Sequence, residues 1–131
     1  MLSRMEHDSI GALNVPAEAY YGVQSMRAAT NFQITHRPLH PVLIDSIVMV
    51  KKAAAITNEK SGKLNRQIAQ AIIQACDEIL DGSFRDQFIV DAIQGGAGTS
   101  ANMNANEVIA NRAIEILGGT KGDYSIVHPN D

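Results

Sequence analysis

Apolar residues recur every three or four positions in three long stretches of the chain. Between Pro41 and about Lys60 they form a stripe of Leu43, Ile47, Val50 and Ala54, which Ile44 and Val48 broaden. Between about Arg66 and Leu80 the stripe comprises Ile68, Ile72, Ala75 and Ile79. The third stretch begins near residues 99–102 and ends at Gly118-Gly119. Because this spacing places apolar side chains on one face of a helix, the pattern predicts three amphipathic helices.

Residues typical of helix ends support two of these helices. Pro41 suits a first helical turn, where its missing N–H costs nothing. Asn65 is the predicted N-cap of the second helix. Gly62 and Gly82 follow the predicted last turns, where glycine is favoured because it adopts the left-handed conformation easily.

The remaining segments are shorter and less periodic. Residues 1–15 are predicted to be irregular and rich in turns. A short helix is predicted from Ala17 to about Asn31, with Tyr20, Val23 and Met26 toward the core. Residues 33–40 form a connector, residues 83–93 are extended or loop-like, and residues 120–124 form a tight loop. The predicted fold class is therefore mainly α, with short extended segments and loops.

Composition narrows the classes of protein to consider. The 131 residues suit one domain, and an apolar fraction of 45% allows a core. The formal charge of −3, with both signs interspersed, gives no indication of a nucleic-acid or membrane partner. Met1 to Ile10 is too polar for a signal peptide, and no apolar run approaches the about 18 residues of a spanning helix. A cytoplasmic location and a buried, unpaired Cys76 are expected.

The run Gly95-Gly96-Ala97-Gly98 leads into the third predicted helix. Glycine adopts positive φ and lets the backbone approach a ligand closely. Hydroxyl and amide residues cluster at the start of the helix, where N-caps are favoured. A glycine loop at a helix N-terminus offers free N–H groups and the positive end of the helix dipole. The sequence thus predicts a small anion held by backbone N–H groups and by the hydroxyls of Thr99 and Ser100.

Two other interpretations of this loop remain open. Gly96-Ala97-Gly98-Thr99-Ser100-Ala101 matches the loose dinucleotide pattern G-x-G-x-x-G/A. That interpretation requires a parallel sheet, for which Phe88-Ile89-Val90 would be the first strand, but turn residues follow the helix. The other interpretation is a structural turn ahead of a core helix.

Asparagine is unusually frequent in the third helix. Asn104, Glu107, Asn111 and Glu115 form one polar stripe, opposite an apolar stripe of Ala105, Ile109, Ala113 and Ile116. Asparagine forms helices poorly because its side chain competes for backbone hydrogen bonds. Neutral amides therefore indicate a buried, hydrogen-bonded polar surface.

The run from Gly95 to Arg112 resembles the first signature region of the fumarase/aspartase superfamily, and it is most similar to the aspartate ammonia-lyase branch. The fumarase branch typically has Gly-Ser-Gly-Thr-Gln-Ser-Asn-Met-Asn here, whereas this chain has Gly-Ala-Gly-Thr-Ser-Ala. The resemblance extends from about His7 to Asp131. It implies that residues 1–131 are the helical N-terminal domain of an L-aspartase-like fold, truncated before the central helical bundle.

The resemblance also implies an activity, the reversible deamination of L-aspartate to fumarate and ammonia by β-elimination. The family acts on small dicarboxylates as a homotetramer and uses no organic cofactor, and no metal site is predicted. Its general base is a serine on a mobile Gly-Ser-Ser loop much later in the chain. Since this sequence lacks that loop, it holds no catalytic residue, and the isolated chain is expected to be inactive.

Substrate-binding residues follow from the same resemblance. Gly98, Thr99 and Ser100 would bind a substrate carboxylate, while Asn102 and Asn104 would orient it or support the loop. Arg27 matches the arginine of a Tyr-Gly-x-Gln-x-x-Arg-Ala motif near the family's active region; a surface ion pair is the alternative. 

The final residues, His128-Pro129-Asn130-Asp131, match a second motif of the family. In fumarases this motif contributes to a secondary carboxylate site, with an arginine three residues before the histidine. The candidate secondary site here comprises His128, Asn130 and Asp131, and it is weakened because Ser125 occupies the arginine position. The alternative for His128 is a turn histidine held by Pro129 and Asp131.

Other functions remain as alternatives. They are a fumarate hydratase or an argininosuccinate-type lyase of the same superfamily, a nucleotide-binding module, and a non-enzymatic helical interaction domain. His7 and Asp8 are a candidate acid–base pair, with simple exposure to water in a loop as the alternative.

Overall fold

The computed structural model describes residues 2–131. Two strands, β1 (Ser3–His7) and β2 (Ala12–Pro16), precede four α-helices. The helices are α1 (Val23–Asn31), α2 (Pro41–Lys60), α3 (Arg66–Leu80) and α4 (Thr99–Ile116), with a short 3-10 helix at Arg85–Gln87. The mainly α fold class is confirmed. No helix in residues 2–131 is long and apolar enough to cross a membrane.

Residues 3–16 form a β-hairpin, so the prediction of irregular chain in this region was wrong; Met1 lies outside the described residues. The strands are antiparallel, with Ser3 opposite Pro16 and His7 opposite Ala12. Glu6, a charged residue, is only 3% exposed on the inward face. Because polar side chains occupy inward positions of β1, the apolar alternation that marks a strand is missing from its sequence.

Helix α1 begins at Val23, six residues after the predicted start at Ala17. The Arg4 guanidinium donates hydrogen bonds to four backbone carbonyls of this segment, those of Pro16, Ala17, Ala19 and Tyr21. The distances from Arg4 nitrogen to carbonyl oxygen are 2.8–3.1 Å. Since these carbonyls face a side chain from β1, the segment forms turns rather than a first helical turn.

Helix α2 has the predicted bounds, but its buried face differs from the predicted stripe. Ile44 and Val48 face the core at 3% and 0% exposure, whereas Leu43 and Val50 are 45% and 67% exposed. Apolar residues lie on nearly every side of this helix, so their spacing does not determine which side faces the core.

Helices α3 and α4 complete the core. The Asn65 side chain caps α3 by accepting the N–H groups of Gln67 and Ile68 at 2.8 and 3.3 Å. Gly62 and Gly82 follow α2 and α3 with φ of 78° and 103°, as their predicted positions require. Helix α4 contacts α1, α2 and α3, and its Ala105 and Val108 are fully buried. It therefore lies at the centre of the fold.

The nucleotide-binding interpretation is not supported by this architecture. Residues 88–90 are not a strand, and the hairpin is the only sheet within residues 2–131. A dinucleotide loop of the G-x-G-x-x-G type needs a parallel sheet. The strand that this interpretation required at residues 88–90 is absent, in agreement with the prediction that residues 83–93 are extended or loop-like.

Candidate functional site

The glycine loop before α4 has an unusual backbone. Gly96, Ala97 and Gly98 all have positive φ, of 78°, 53° and 87°. Gly98 occupies the N-cap position of α4 and has no side chain with which to cap the helix. The expected hydroxyl or amide cap is thus replaced by glycine, because the left-handed conformation at this position favours a residue without Cβ. Gly98 and Thr99 are exposed, so the loop is open to solvent.

The hydrogen-bond donors at the start of α4 are not equivalent. The Thr99 N–H and hydroxyl both bind the Gly96 carbonyl oxygen, at 3.0 and 2.5 Å. The Ala101 N–H binds Oε1 of Gln94 at 2.7 Å. Within the described chain, neither the N–H nor the hydroxyl of Ser100 has a hydrogen-bond partner. Among residues 99–101, Ser100 therefore provides the donors that remain free for an incoming anion.

Asn102 and Asn104 occupy different environments although they are two residues apart. Asn102 is exposed on the first turn of α4. Asn104 is fully buried; its amide donates to the Gln87 carbonyl at 3.0 Å and accepts the Val90 N–H at 3.4 Å. Of the two roles considered for Asn104, its contacts match support of the segment that leads to the loop.

Arg27 forms an ion pair with Asp8. Its Nε lies 2.9 Å from Oδ2 of Asp8, and its Nη2 lies 3.3 Å from Oδ1. Asp8 also accepts the N–H groups of Ile10 and Gly11 in the hairpin turn. These contacts match the ion-pair alternative for Arg27, and they assign Asp8 a structural role instead of partnership with His7.

Asn104, Glu107 and Asn111 of the polar stripe of α4 are buried, as its amides predicted, whereas Glu115 is partly exposed. Asn111 is fully buried; it donates to the Tyr20 carbonyl at 2.7 Å and accepts the Gly122 N–H at 2.8 Å. Glu107 is 1% exposed and contacts the N-terminus of α1. These residues join α4 to the segments around it, and their buried bonds leave the exposed first turn of α4 as the part that can meet a ligand.

A cavity of about 210 Å³ lies between α2, α4 and the final residues. Its lining includes Lys51, Asn106, His128, Asn130 and Asp131. The sequence predicted the last three together. Lys51 was missed because no motif in α2 indicates a ligand. Asn106 lies within the signature run of α4, but its position did not indicate that it faces the final residues.

The geometry of the terminal motif is that of a turn. Asp131 accepts the His128 N–H at 2.8 Å, and Nδ1 of His128 accepts the Asn130 N–H at 3.0 Å. Since Nδ1 is an acceptor, neutral His128 carries its proton on Nε2 and can donate from there. The Ser125 hydroxyl binds Asp123 at 2.5 Å. Burial lowers the pKa of Lys51, which lies on the cavity wall.

A protein-family model described as lyase matches residues 11–131. The chain belongs to this lyase family. The match confirms the resemblance to the fumarase/aspartase superfamily that the sequence of the loop and helix α4 indicated.

Relatives within the lyase family include characterised enzymes. An aspartate ammonia-lyase from Bacillus sp is 55% identical over 127 residues, which are 97% of this chain and 27% of the relative. An aspartate ammonia-lyase from Helicobacter pylori is 54% identical over 130 residues, which are 98% of this chain and 28% of the relative. The chain thus spans between a quarter and a third of the length of these relatives.

Solved structures of lyases have the same fold. The fumarate lyase:delta crystallin from Brucella melitensis superposes with a TM-score of 0.97 at 52% identity, covering 99% of this chain and 29% of that one. The class II fumarase from Schistosoma mansoni superposes with a TM-score of 0.91 at 38% identity, covering 98% and 27%. The expected fold of an N-terminal lyase domain is therefore confirmed.

Proposed function

We propose that residues 1–131 are the N-terminal domain of an aspartate ammonia-lyase, which converts L-aspartate reversibly to fumarate and ammonia. The observation that supports this most directly is the pair of free donors on Ser100 at the head of α4. They lie on an open glycine loop, in a chain that is 50–55% identical to aspartate ammonia-lyases over nearly its whole length.

The proposed role of the loop follows from the charge that develops during β-elimination. The C–H bond next to one carboxylate breaks, the C–N bond breaks with loss of ammonia, and a C=C bond forms. The carboxylate beside the departing proton gains negative charge in the transition state. Preorganised donors aimed at that charge lower the barrier. In this proposal the Ser100 N–H and hydroxyl bind the carboxylate, supported by the positive end of the α4 dipole.

The other loop residues contribute shape and orientation. Gly98 supplies the left-handed N-cap that leaves the first turn uncovered, and Thr99 ties the loop to Gly96. Asn102, exposed on the same turn, is a further donor for the substrate, while Arg27 contributes indirectly by holding α1 to the hairpin turn. The base that accepts the proton is contributed by a later part of the parent enzyme, as the resemblance implies. We therefore propose that the isolated chain binds carboxylate weakly and has no lyase activity.

The proposal extends to the state of the parent enzyme. We infer a cytoplasmic homotetramer acting on L-aspartate and fumarate without an organic cofactor. The exposed apolar residues of α2, including Val42 at 64% and Val50 at 67% exposure, support the view that other parts of the assembly cover this helix.

We also propose that the 210 Å³ cavity is an accessory carboxylate site. Its donors would be Nε2 of His128, the amide of Asn130 and the ammonium of Lys51. Lys51 would supply the positive charge that is missing at position 125, where this chain has a neutral serine in place of the arginine of the fumarase motif. The Ser125 hydroxyl is bound to Asp123. Asp131 holds the turn through the His128 N–H and is not itself an anion ligand.

The test is an assay of the protein encoded by the complete reading frame. We expect fumarate absorbance to rise with L-aspartate and not with L-malate. Ser100→Ala should lower kcat/KM by roughly 100-fold, as loss of one oxyanion donor typically does. Ser125→Ala is the matched control and should leave kcat/KM unchanged.

Other outcomes would assign a different function. Turnover of malate without aspartate would indicate a fumarate hydratase. Absence of turnover with both substrates would contradict the lyase proposal. The 131-residue chain, assayed in parallel, should produce no fumarate.

A further inference from the structure

The side chain of Gln94 spans the glycine loop. Its Nε2 donates to the Asp91 carbonyl at 2.8 Å, and its Oε1 accepts the Ala101 N–H at 2.7 Å. One amide therefore connects the segment before the loop with the first turn of α4. No comparable contact from a side chain outside residues 91–101 reaches the loop in the described part of the chain.

This contact changes what the start of α4 offers to an anion. The first N–H groups of a helix are free unless something outside the helix accepts them. Here Gly96 accepts the Thr99 N–H and Gln94 accepts the Ala101 N–H, so that among the first three residues of α4 Ser100 alone keeps its N–H and hydroxyl free. Two donors, one N–H and one hydroxyl, match the two oxygens of a carboxylate. Phosphate groups at helix N-termini instead use several backbone N–H groups together.

Asp91 fixes the position from which Gln94 reaches across the loop. It is 6% exposed. Its Oδ2 accepts the N–H groups of Ile34, Thr35 and His36 at 3.2, 2.9 and 2.8 Å. Its Oδ1 accepts the Thr35 hydroxyl at 2.6 Å and the Ile93 N–H at 2.8 Å. The segment before the loop is thereby attached to the connector between α1 and α2.

We propose that Gln94 is a positioning residue that makes the loop selective for carboxylate over phosphate. It does so by binding the Ala101 N–H, which leaves the Ser100 N–H and hydroxyl as the free donors among residues 99–101. The inference rests on the proposed binding of a substrate carboxylate at this loop. Asp91 supports it by accepting the N–H of Ile93, the residue before Gln94, and by presenting the carbonyl to which the Gln94 amide donates.

The experiment compares two variants in the protein encoded by the complete reading frame. Gln94→Met keeps the length of the side chain and removes both hydrogen bonds, which frees the Ala101 N–H. We expect KM for aspartate to rise about tenfold, and inhibition by inorganic phosphate to strengthen about tenfold, as loss or gain of one charge-assisted hydrogen bond allows.

Gln94→Glu is the conservative variant. It keeps an acceptor for the Ala101 N–H and loses only the bond to the Asp91 carbonyl. KM should rise, because the bridge is weakened and a negative charge is added, but phosphate inhibition should not strengthen. Asn65→Ala removes the α3 cap, away from the loop, and should alter neither constant.

Amide hydrogen exchange supplies a readout that does not depend on activity. The Ala101 amide should exchange slowly in wild type and in Gln94→Glu, and at least about tenfold faster in Gln94→Met, because its hydrogen-bond acceptor is lost. Asn65→Ala should not change the exchange rate of the Ala101 amide relative to neighbouring amides of α4.

The outcomes separate this inference from the function on which it rests. If wild type deaminates aspartate but Gln94→Met leaves KM, phosphate inhibition and Ala101 exchange within about twofold of wild type, the role of Gln94 is wrong and the lyase function stands. Stronger phosphate inhibition in Gln94→Glu would also overturn it. If wild type does not act on aspartate, the proposed function fails, and the selectivity for carboxylate fails with it.

Discussion

Oε1 of Glu107 in α4 accepts the Ser25 backbone N–H in α1 at 2.8 Å and also accepts the Ser25 hydroxyl. Its other oxygen accepts the Gln24 N–H at 3.0 Å. Burial raises the pKa of Glu107, and the Ser25 and Gln24 donors oppose that rise. A Cβ at Gly22 would collide with this carboxylate and with the Tyr124 hydroxyl. One buried carboxylate therefore caps α1 and holds it against the central helix.

Substitution of Glu107 should destabilise the chain through these donors. Glu107→Gln keeps the size of the side chain but turns an NH₂ group toward a buried donor. We expect the free energy of unfolding to fall by about 1–3 kcal/mol, the usual cost of an unsatisfied buried polar group. Urea denaturation followed by circular dichroism measures it.

Glu59→Gln is the matched control for Glu107→Gln. Glu59 pairs with Arg66 across 3.8 Å near the surface, and such pairs contribute about 0–1 kcal/mol. An equal loss in both variants would show that the contacts of Glu107 with α1 are unimportant for stability.

The loss of folding stability at acid pH should depend on Asp91. The Thr35 hydroxyl, with the backbone N–H groups that face the carboxylate, holds the pKa of Asp91 well below its ordinary value of 3.8. A lowered pKa in the folded chain stabilises the fold above pH 3.8, and this contribution is lost as pH falls through the folded-state pKa. Asp91→Asn lacks this titration. Its deficit in the free energy of unfolding relative to wild type should therefore shrink as the solution becomes more acidic.

Denaturant midpoints measured across the acid range test the titration of Asp91. Thr35→Val removes the largest contribution to the lowered pKa of Asp91 and should shift the acid loss to higher pH. A deficit of Asp91→Asn that stays constant with pH would contradict the assignment.

Cys76 should be inert in the folded chain. It is fully buried in α3, and burial raises the pKa of its thiol to about 12. Because the thiolate is the reactive species, iodoacetamide should modify Cys76 only after unfolding. Mass spectrometry with and without urea measures this, with free cysteine added to confirm that the reagent is active. Rapid modification while the helical circular dichroism signal is intact would contradict the buried position.

Helix bounds were predictable because their determinants are local. Pro41, Asn65 and Gly62 act within a turn of their own positions, and α2 and α3 begin and end where these residues indicated. The start of α1 was not predictable, since it depends on Arg4 contacts with carbonyls 12 to 17 residues away. The hairpin was missed because the inward position of β1 is occupied by the charged Glu6. Spacing within a segment carries no information about such partners.

The candidate site also combines features that the sequence predicts with features that depend on contacts formed only in the fold. Composition and resemblance located the loop and its two hydroxyl residues. The Thr99 and Ser100 donors differ in availability because the Gly96 carbonyl accepts both Thr99 donors across a loop of positive-φ residues, a structural detail that the sequence pattern does not contain. The cavity near His128 likewise combines segments from α2 and the final turn, so Lys51 had no local signal.

The orientation of α2 gives the last prediction. Val48 is fully buried and Val50 is 67% exposed, although the sequence placed Val50 in the main apolar stripe and Val48 only at its edge. Val48→Ala should lower the free energy of unfolding of this chain by roughly 2 kcal/mol, through lost burial and a residual cavity. Val50→Ala should change it by less than about 0.5 kcal/mol, since alanine is the better helix former and little burial is lost. Urea denaturation of the two variants compares the two faces of α2 directly, because both variants carry the same valine-to-alanine change two residues apart. A larger loss in Val50→Ala than in Val48→Ala would mean that α2 turns the predicted stripe, and not the observed one, toward the core.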